Sequence, residues 1–171
     1  MQSGPSQRPL DMLGEFLSEQ LNMYRQLLEL AKKEREALMA SKIEALNDVV
    51  SQKTYLSQLL DRVEKRRIAL MTELAVSFNC RLEDFTLQRL VNLIDQSTSE
   101  KFLQLRSDLT AVIKELKKEN DTNKGLIAHC IMLMDNSVNI LNSMLCHEST
   151  YIHTGYFSKA NEGGFVFSGK I

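Results

Sequence analysis

Residues 97–147, STSEKFLQLRSDLTAVIKELKKENDTNKGLIAHCIMLMDNSVNILNSMLCH, decide the fold. Phe102, Leu105, Leu109, Val112, Leu116, Asn123, Leu126, Cys130, Leu133, Ile140 and Met144 hold a single heptad frame. That spacing lays an apolar stripe along one side of a helix and needs partner helices to cover it. No proline interrupts the run, which predicts one helix of roughly 50 residues, about 75 Å long at 1.5 Å per residue. Ser97 and Glu100 have the N-cap to N3 spacing of a capping box, so the helix is expected to start there.

The partners lie upstream. Leu10, Leu13, Leu17, Leu21, Tyr24, Leu27, Leu28, Ala31 and Leu38 repeat at helical spacing and predict a first helix. Ser41 and Glu44 repeat the capping-box spacing and predict the start of a second, with an apolar seam at Ile43, Leu46, Val49, Leu56, Leu60, Val63, Leu70 and Leu74. Lys53 and Arg67 fall at inward positions of that seam, where long apolar stems are expected to run along it and carry their charges to water. The charged run Lys32, Lys33, Glu34, Arg35 and Glu36 reads as a solvated helix face. A short amphipathic helix is expected around Leu87, Leu90, Val91 and Ile94.

The expected architecture is all-α: an elongated antiparallel bundle of three long helices plus one short helix, packed like a coiled coil. It comprises a flexible leader (1–8), a bundle over 9–148 with helices at 9–40, 42–75, 85–95 and 98–147, and an irregular C-terminal tail (149–171). The first two helices are about 50 Å long, so the last is expected to extend roughly 25 Å past them unless the short helix covers the excess.

Charge separates the last helix into two parts. Between Lys124 and Lys159 there is no basic residue, and Asp135 and Glu148 are the acidic ones. With Phe102 as position a, the first half is apolar mainly at a and d, with Ile113 at e. After Lys124 the e positions (Ile127, Met134, Leu141) and b positions (Ile131, Val138, Leu145) turn apolar too. The apolar arc then widens from about 60–100° to roughly 160°, more than one neighbouring helix covers. The a and d positions are expected in the core. Ile127, Ile131, Met134, Val138, Leu141 and Leu145 are the expected surface for a client protein, and Met132, Met134 and Met144 add side chains that adapt to varied partners. Asn120 and Asn123 fall at e and a just before the widening, as register-fixing polar residues or as direct partner contacts.

Several chemistries are disfavoured. Net charge is −1, with no basic field for nucleic acid or an anionic membrane. No apolar run approaches the ~20 residues of a membrane span, and the N-terminus shows no signal-peptide pattern, so a cytoplasmic location without membrane insertion is expected. Cys80, Cys130 and Cys146 read as reduced thiols. His129, His147 and His153 lie near no carboxylate cluster or Gly-flanked serine, so no catalytic, cofactor-binding or metal site and no enzyme is expected. The helical pairs His129–Cys130 and Cys146–His147 point apart and stand roughly 25 Å from each other, a poor metal cage.

The first helix running into LLELAKKEREALMASKIEALNDVVSQKTYLSQLL, the second ending in RRIALMTEL, the segment ENDTNKGLI and the Thr150-Tyr151…Gly155 ending together resemble the FlgN-type flagellar export chaperones. The resemblance covers nearly the whole chain. It departs at Ile152 and His153, which follow the tyrosine, and in a longer, aromatic tail. It implies a cytoplasmic chaperone of the flagellar type III export system with no cofactor. Its partners would be the amphipathic terminal helices of hook-associated, hook–filament junction proteins and the export apparatus, with Tyr151 contacting the export gate. The chain would act as a monomer, with a dimer left open. A homo-oligomeric coiled-coil scaffold or adaptor, whose own copies cover the widened arc, is the alternative.

Overall fold

The computed structural model describes residues 7–145. Its elements are α1 (Gln7–Met39), α2 (Ile43–Ser77), a 3-10 turn (Leu82–Asp84), α3 (Leu87–Leu90) and α4 (Gln96–Leu145), with no strand among the described residues. The fold is all-α, as its composition and periodicity predict. The chain divides into two compact units, one ending at Ile127 and the other beginning at Ala128. The expected tail, 149–171, lies outside the described residues.

In the first unit α1 and α2 are antiparallel. As the α1 residue advances from Gln20 to Glu34, its hydrogen-bonded α2 partner falls back from Glu64 to Lys53. α4 runs parallel to α1, since Arg25, Lys32 and Arg35 meet Asp108, Glu115 and Glu119 in the same order. Arg35–Glu119 is partly buried, and the two more exposed pairs contribute about 0–1 kcal/mol each, so they fix register more than they stabilise.

Stability comes from two apolar clusters. One joins Leu13, Phe16 and Leu17 of α1 to Val63, Leu70 and Leu74 of α2 and Phe102 of α4. Gly14 leaves room for that phenyl ring: a Cβ there would sit 3.4 Å from Phe102 Cε1. The other cluster joins Leu21, Leu28 and Ala31 to Val49 and Leu56 and to Val112 and Leu116. Burying each large side chain contributes about 1.5–3 kcal/mol. Arg66 closes the side of the first cluster, its guanidinium carbon 4.6 Å from the centre of the Phe16 ring.

Polar groups interrupt these cores where α2 places cations inward. Arg67 chelates the Glu64 carboxylate through two bonds of 2.7 Å, and Gln20 donates to the same carboxylate. Lys53 ends 2.7 Å from Glu34. Both cations are partly exposed, and each also meets a carboxylate at the edge of the bundle. Glu34 also departs from the solvated face expected of it, because helical periodicity puts it on the side of Ala31 and Ala37, and it is buried.

The connections revise both expected capping boxes. Lys42 N–H donates to Ala37 O at 3.0 Å and Ser41 N–H to Leu38 O at 3.2 Å, with Ser41 left-handed at φ 52°. This is a Schellman closure of α1, so Ser41 ends one helix instead of starting the next, and Lys42 precedes α2 without a side-chain cap. Ile43 is consequently exposed at the first turn of α2. Asn79, also at φ 52°, closes α2 with the same pair of bonds from Asn79 and Cys80. At α4 the cap is Asp95, whose Oδ2 accepts from Thr98 N–H at 2.9 Å; the cap is displaced by two residues from Ser97.

The expected short helix is a single turn. After Leu90, Asn92 and Leu93 donate to carbonyls three residues back, a tighter winding that ends the α-helix. Leu90 and Val91 are buried with Phe85 in the Phe102 cluster, so this connection covers that end of the bundle.

Candidate partner-binding helix

α4 changes character at Asn123. Upstream it contributes Phe102, Val112 and Leu116 to the core, with Leu105 and Leu109 half-buried. Among the described residues, Asn123 is its last buried one. The Asn123 amide donates to Ala31 O at 2.8 Å and to Glu34 Oε2 at 2.7 Å. The Lys53 ammonium binds the same Glu34 oxygen and, at 3.1 Å, Asn120 Oδ1. Asn123 thus lies inside a network spanning all three long helices, and Asn120 sits exposed at its edge. Asn123 Oδ1 has no partner among the described residues.

Every described residue from Ile127 to Met144 is exposed. Ile127, at the end of the first unit, is 38 % exposed. In the second unit Ile131 is 54 % exposed, Met134 68 %, Val138 44 % and Leu141 58 %. The side chain of Leu145, and all of Tyr151, lie outside the described residues.

The expectation that the a and d positions here are core is overturned. Cys130, Leu133, Ile140 and Met144 are exposed as well. The heptad continues past the point where the core ends: α1 supplies its last buried side chain at Ala37, three residues after Glu34. Helix-length arithmetic carries this signal in the sequence, and periodicity alone hides it. Contiguous apolar exposure of this extent is uncommon on a self-sufficient surface and marks interaction sites.

The rest of the second unit's helix is polar, with Asp135 as its charged residue among those described. Asn136, Asn139 and Asn142 are exposed, and Ser137 and Ser143 bond back to helix carbonyls at 2.8 Å. No group of three or more metal-ligating side chains occurs among the described residues. In an open groove lined by Glu34, Lys53, Ser57, Asp61, Arg62 and Lys65, Glu34 pairs with Lys53 and Asp61 with Lys65. No helix among the described residues is long and apolar enough to cross a membrane.

Fold and surface together define a class: a helical-bundle protein whose longest helix carries an uncovered apolar face. The model of the FlgN protein family matches residues 10–156. The chain belongs to that family, the FlgN-type flagellar export chaperones. Comparison with curated proteins and with solved structures returns no match.

Proposed function

We propose that the chain is a cytoplasmic chaperone of the flagellar type III export system that holds the amphipathic terminal helices of hook-associated proteins on the C-terminal part of α4. The observation that carries this reading is the unbroken exposure from Ile127 to Met144. A client segment that is disordered when free folds as it lays its apolar stripe on Ile131, Met134, Val138 and Leu141, the helix-in-groove mode of recognition. Ordering the segment costs about 2–5 kcal/mol of the gross interaction, which keeps the complex releasable. While bound, the client's self-assembling surface is covered. Delivery brings the complex to the export gate, with Tyr151 as the contact on the chaperone.

Ile131→Asp and Val138→Asp test this. An aspartate facing a desolvated apolar partner weakens binding of a purified hook-associated protein by about 100-fold or more, because the buried charge has no counter-ion. Both positions are exposed, so melting temperature and helicity stay near those of the unsubstituted chain. Undiminished client binding by both variants would refute the assignment.

A further inference from the structure

We infer that residues 156–167 of the chain itself fold back on the apolar face of α4 and cover it while no client is bound. The inference goes beyond the function proposed above: the face is the same, and the occupant is an intramolecular competitor of any client.

Residues 146–171 lie outside the described ones, and they follow directly on the uncovered part of α4. Three observations select them as its occupant. The first is composition. Tyr151, Tyr156, Phe157, Phe165 and Phe167 all fall within this segment of a chain that is 6 % aromatic, whereas a segment that stays in water is poor in aromatics. The second is reach. From Ile131 to Met144 the helix is about 20 Å long, and the chain from Gly155 to Phe167 spans up to about 40 Å when extended. Gly155 permits the reversal that such a return needs. In an extended return Phe165 and Phe167 share one side, and the exposed methionines Met134 and Met144 adapt to aromatic rings. The third is charge. Asp135 is the charged residue between Ala128 and Leu145, and Lys159 is the first Lys or Arg after Lys124. The return brings that cation along the helix that carries the carboxylate and lays apolar groups on a face without charge, so no ion is stranded.

Linkage decides between this occupant and one supplied by another molecule. A short flexible connection gives the segment an effective concentration of about 1 mM. A contact with a dissociation constant of about 0.1 mM is then closed about nine-tenths of the time, while a second copy at micromolar concentration leaves it open. Covering the face keeps it from other apolar surfaces, and a client gains it by competition.

The test reads the free chain and contains no client, so its failure leaves the proposed function standing. Cys130 is exposed on this face, one turn before Leu133 and Met134. Its alkylation by iodoacetamide, followed by peptide mass spectrometry, is compared in the full chain, in Phe165→Ser/Phe167→Ser and in Phe165→Leu/Phe167→Leu. The serine variant reacts about 5–10-fold faster at Cys130 than the unsubstituted chain. The leucine variant stays within about 2-fold of it, since leucine buries comparable apolar area. Half-buried Cys80, in the first unit, reacts equally in all three. Equal rates at Cys130 overturn the inference. An acceleration at Cys80 as large as that at Cys130 reports general loosening and overturns it too. So does protection of Cys130 that deepens between about 1 and 100 µM chain, which makes a second copy the occupant.

Discussion

The Asn123 side-chain amide donates to the Glu34 carboxylate across 2.7 Å, joining α4 to α1 at the last position of α4 that is buried among the described residues. Glu34 accepts from Lys53 on α2 through the same oxygen. A carboxylate this buried depends on its cation, because removing one partner of a buried pair leaves a charge without compensation.

Lys53→Met is therefore expected to destabilise the bundle by about 2–3 kcal/mol, toward the lower side of buried pairs because the lysine end is partly hydrated. Glu34→Gln combined with Lys53→Met recovers at least half of that loss, since the neutral amide can still accept from Asn123. Urea unfolding of the two single variants and the double variant measures the coupling. Strict additivity would show that the two residues act independently and that the network fixes nothing.

Acid stability tests a different joint. The Thr98 backbone N–H beside Asp95 holds its carboxyl below the usual aspartate range, and the bond from Arg67 does the same for Glu64 despite partial burial. In each case the folded pKa lies below the unfolded one, so the unfolded chain binds more protons in acid. The stabilisation is complete above the unfolded value and is lost as pH falls from there through the folded value. Asp95→Asn keeps a good N-cap without a titrating group. Its melting temperature at pH 7 should nearly match that of the unsubstituted chain, and its fall between pH 5 and pH 3 should be shallower. Parallel curves in thermal melts would remove Asp95 from the acid response.

How far the sequence can be read depends on what kind of interaction decides each feature. Helical periodicity located α1, α2 and α4 because burial of Leu13, Leu74 and Phe102 depends on the same spacing that periodicity detects. The capping-box spacing misplaces the caps: at Ser41 a Schellman closure of α1 uses the same residues, and before α4 Asp95 takes the N-cap two residues ahead of Ser97; backbone geometry decides such competitions. Glu34 and Glu64 were missed as partners of Lys53 and Arg67 because charges brought together by packing leave no trace in local spacing. On the partner-binding helix the sequence showed the widening through Ile131, Val138 and Leu145. It did not show that Leu133, Ile140 and Met144 are exposed along with Ile131 and Val138, as heptad position says nothing about where a partner helix ends.

Gly125 offers the remaining test. It lies in α4 two residues after Asn123, and a Cβ placed on it would meet nothing within 4 Å. No close approach therefore requires glycine here, while a helix-interior glycine costs about 1 kcal/mol relative to alanine through backbone entropy. Gly125→Ala should raise the melting temperature by about 2–4 °C if this segment melts with the bundle. It should also slow amide exchange of the residues around it, because opening the helix there becomes less favourable. Faster or unchanged exchange, measured by mass spectrometry on the free chain, would show that the glycine does not weaken the helix at this point. The same variant connects stability to function: a stiffer α4 presents its client surface already folded, so the hook-associated protein should dissociate more slowly. A client off-rate equal to that of the unsubstituted chain would separate the softness at Gly125 from client release.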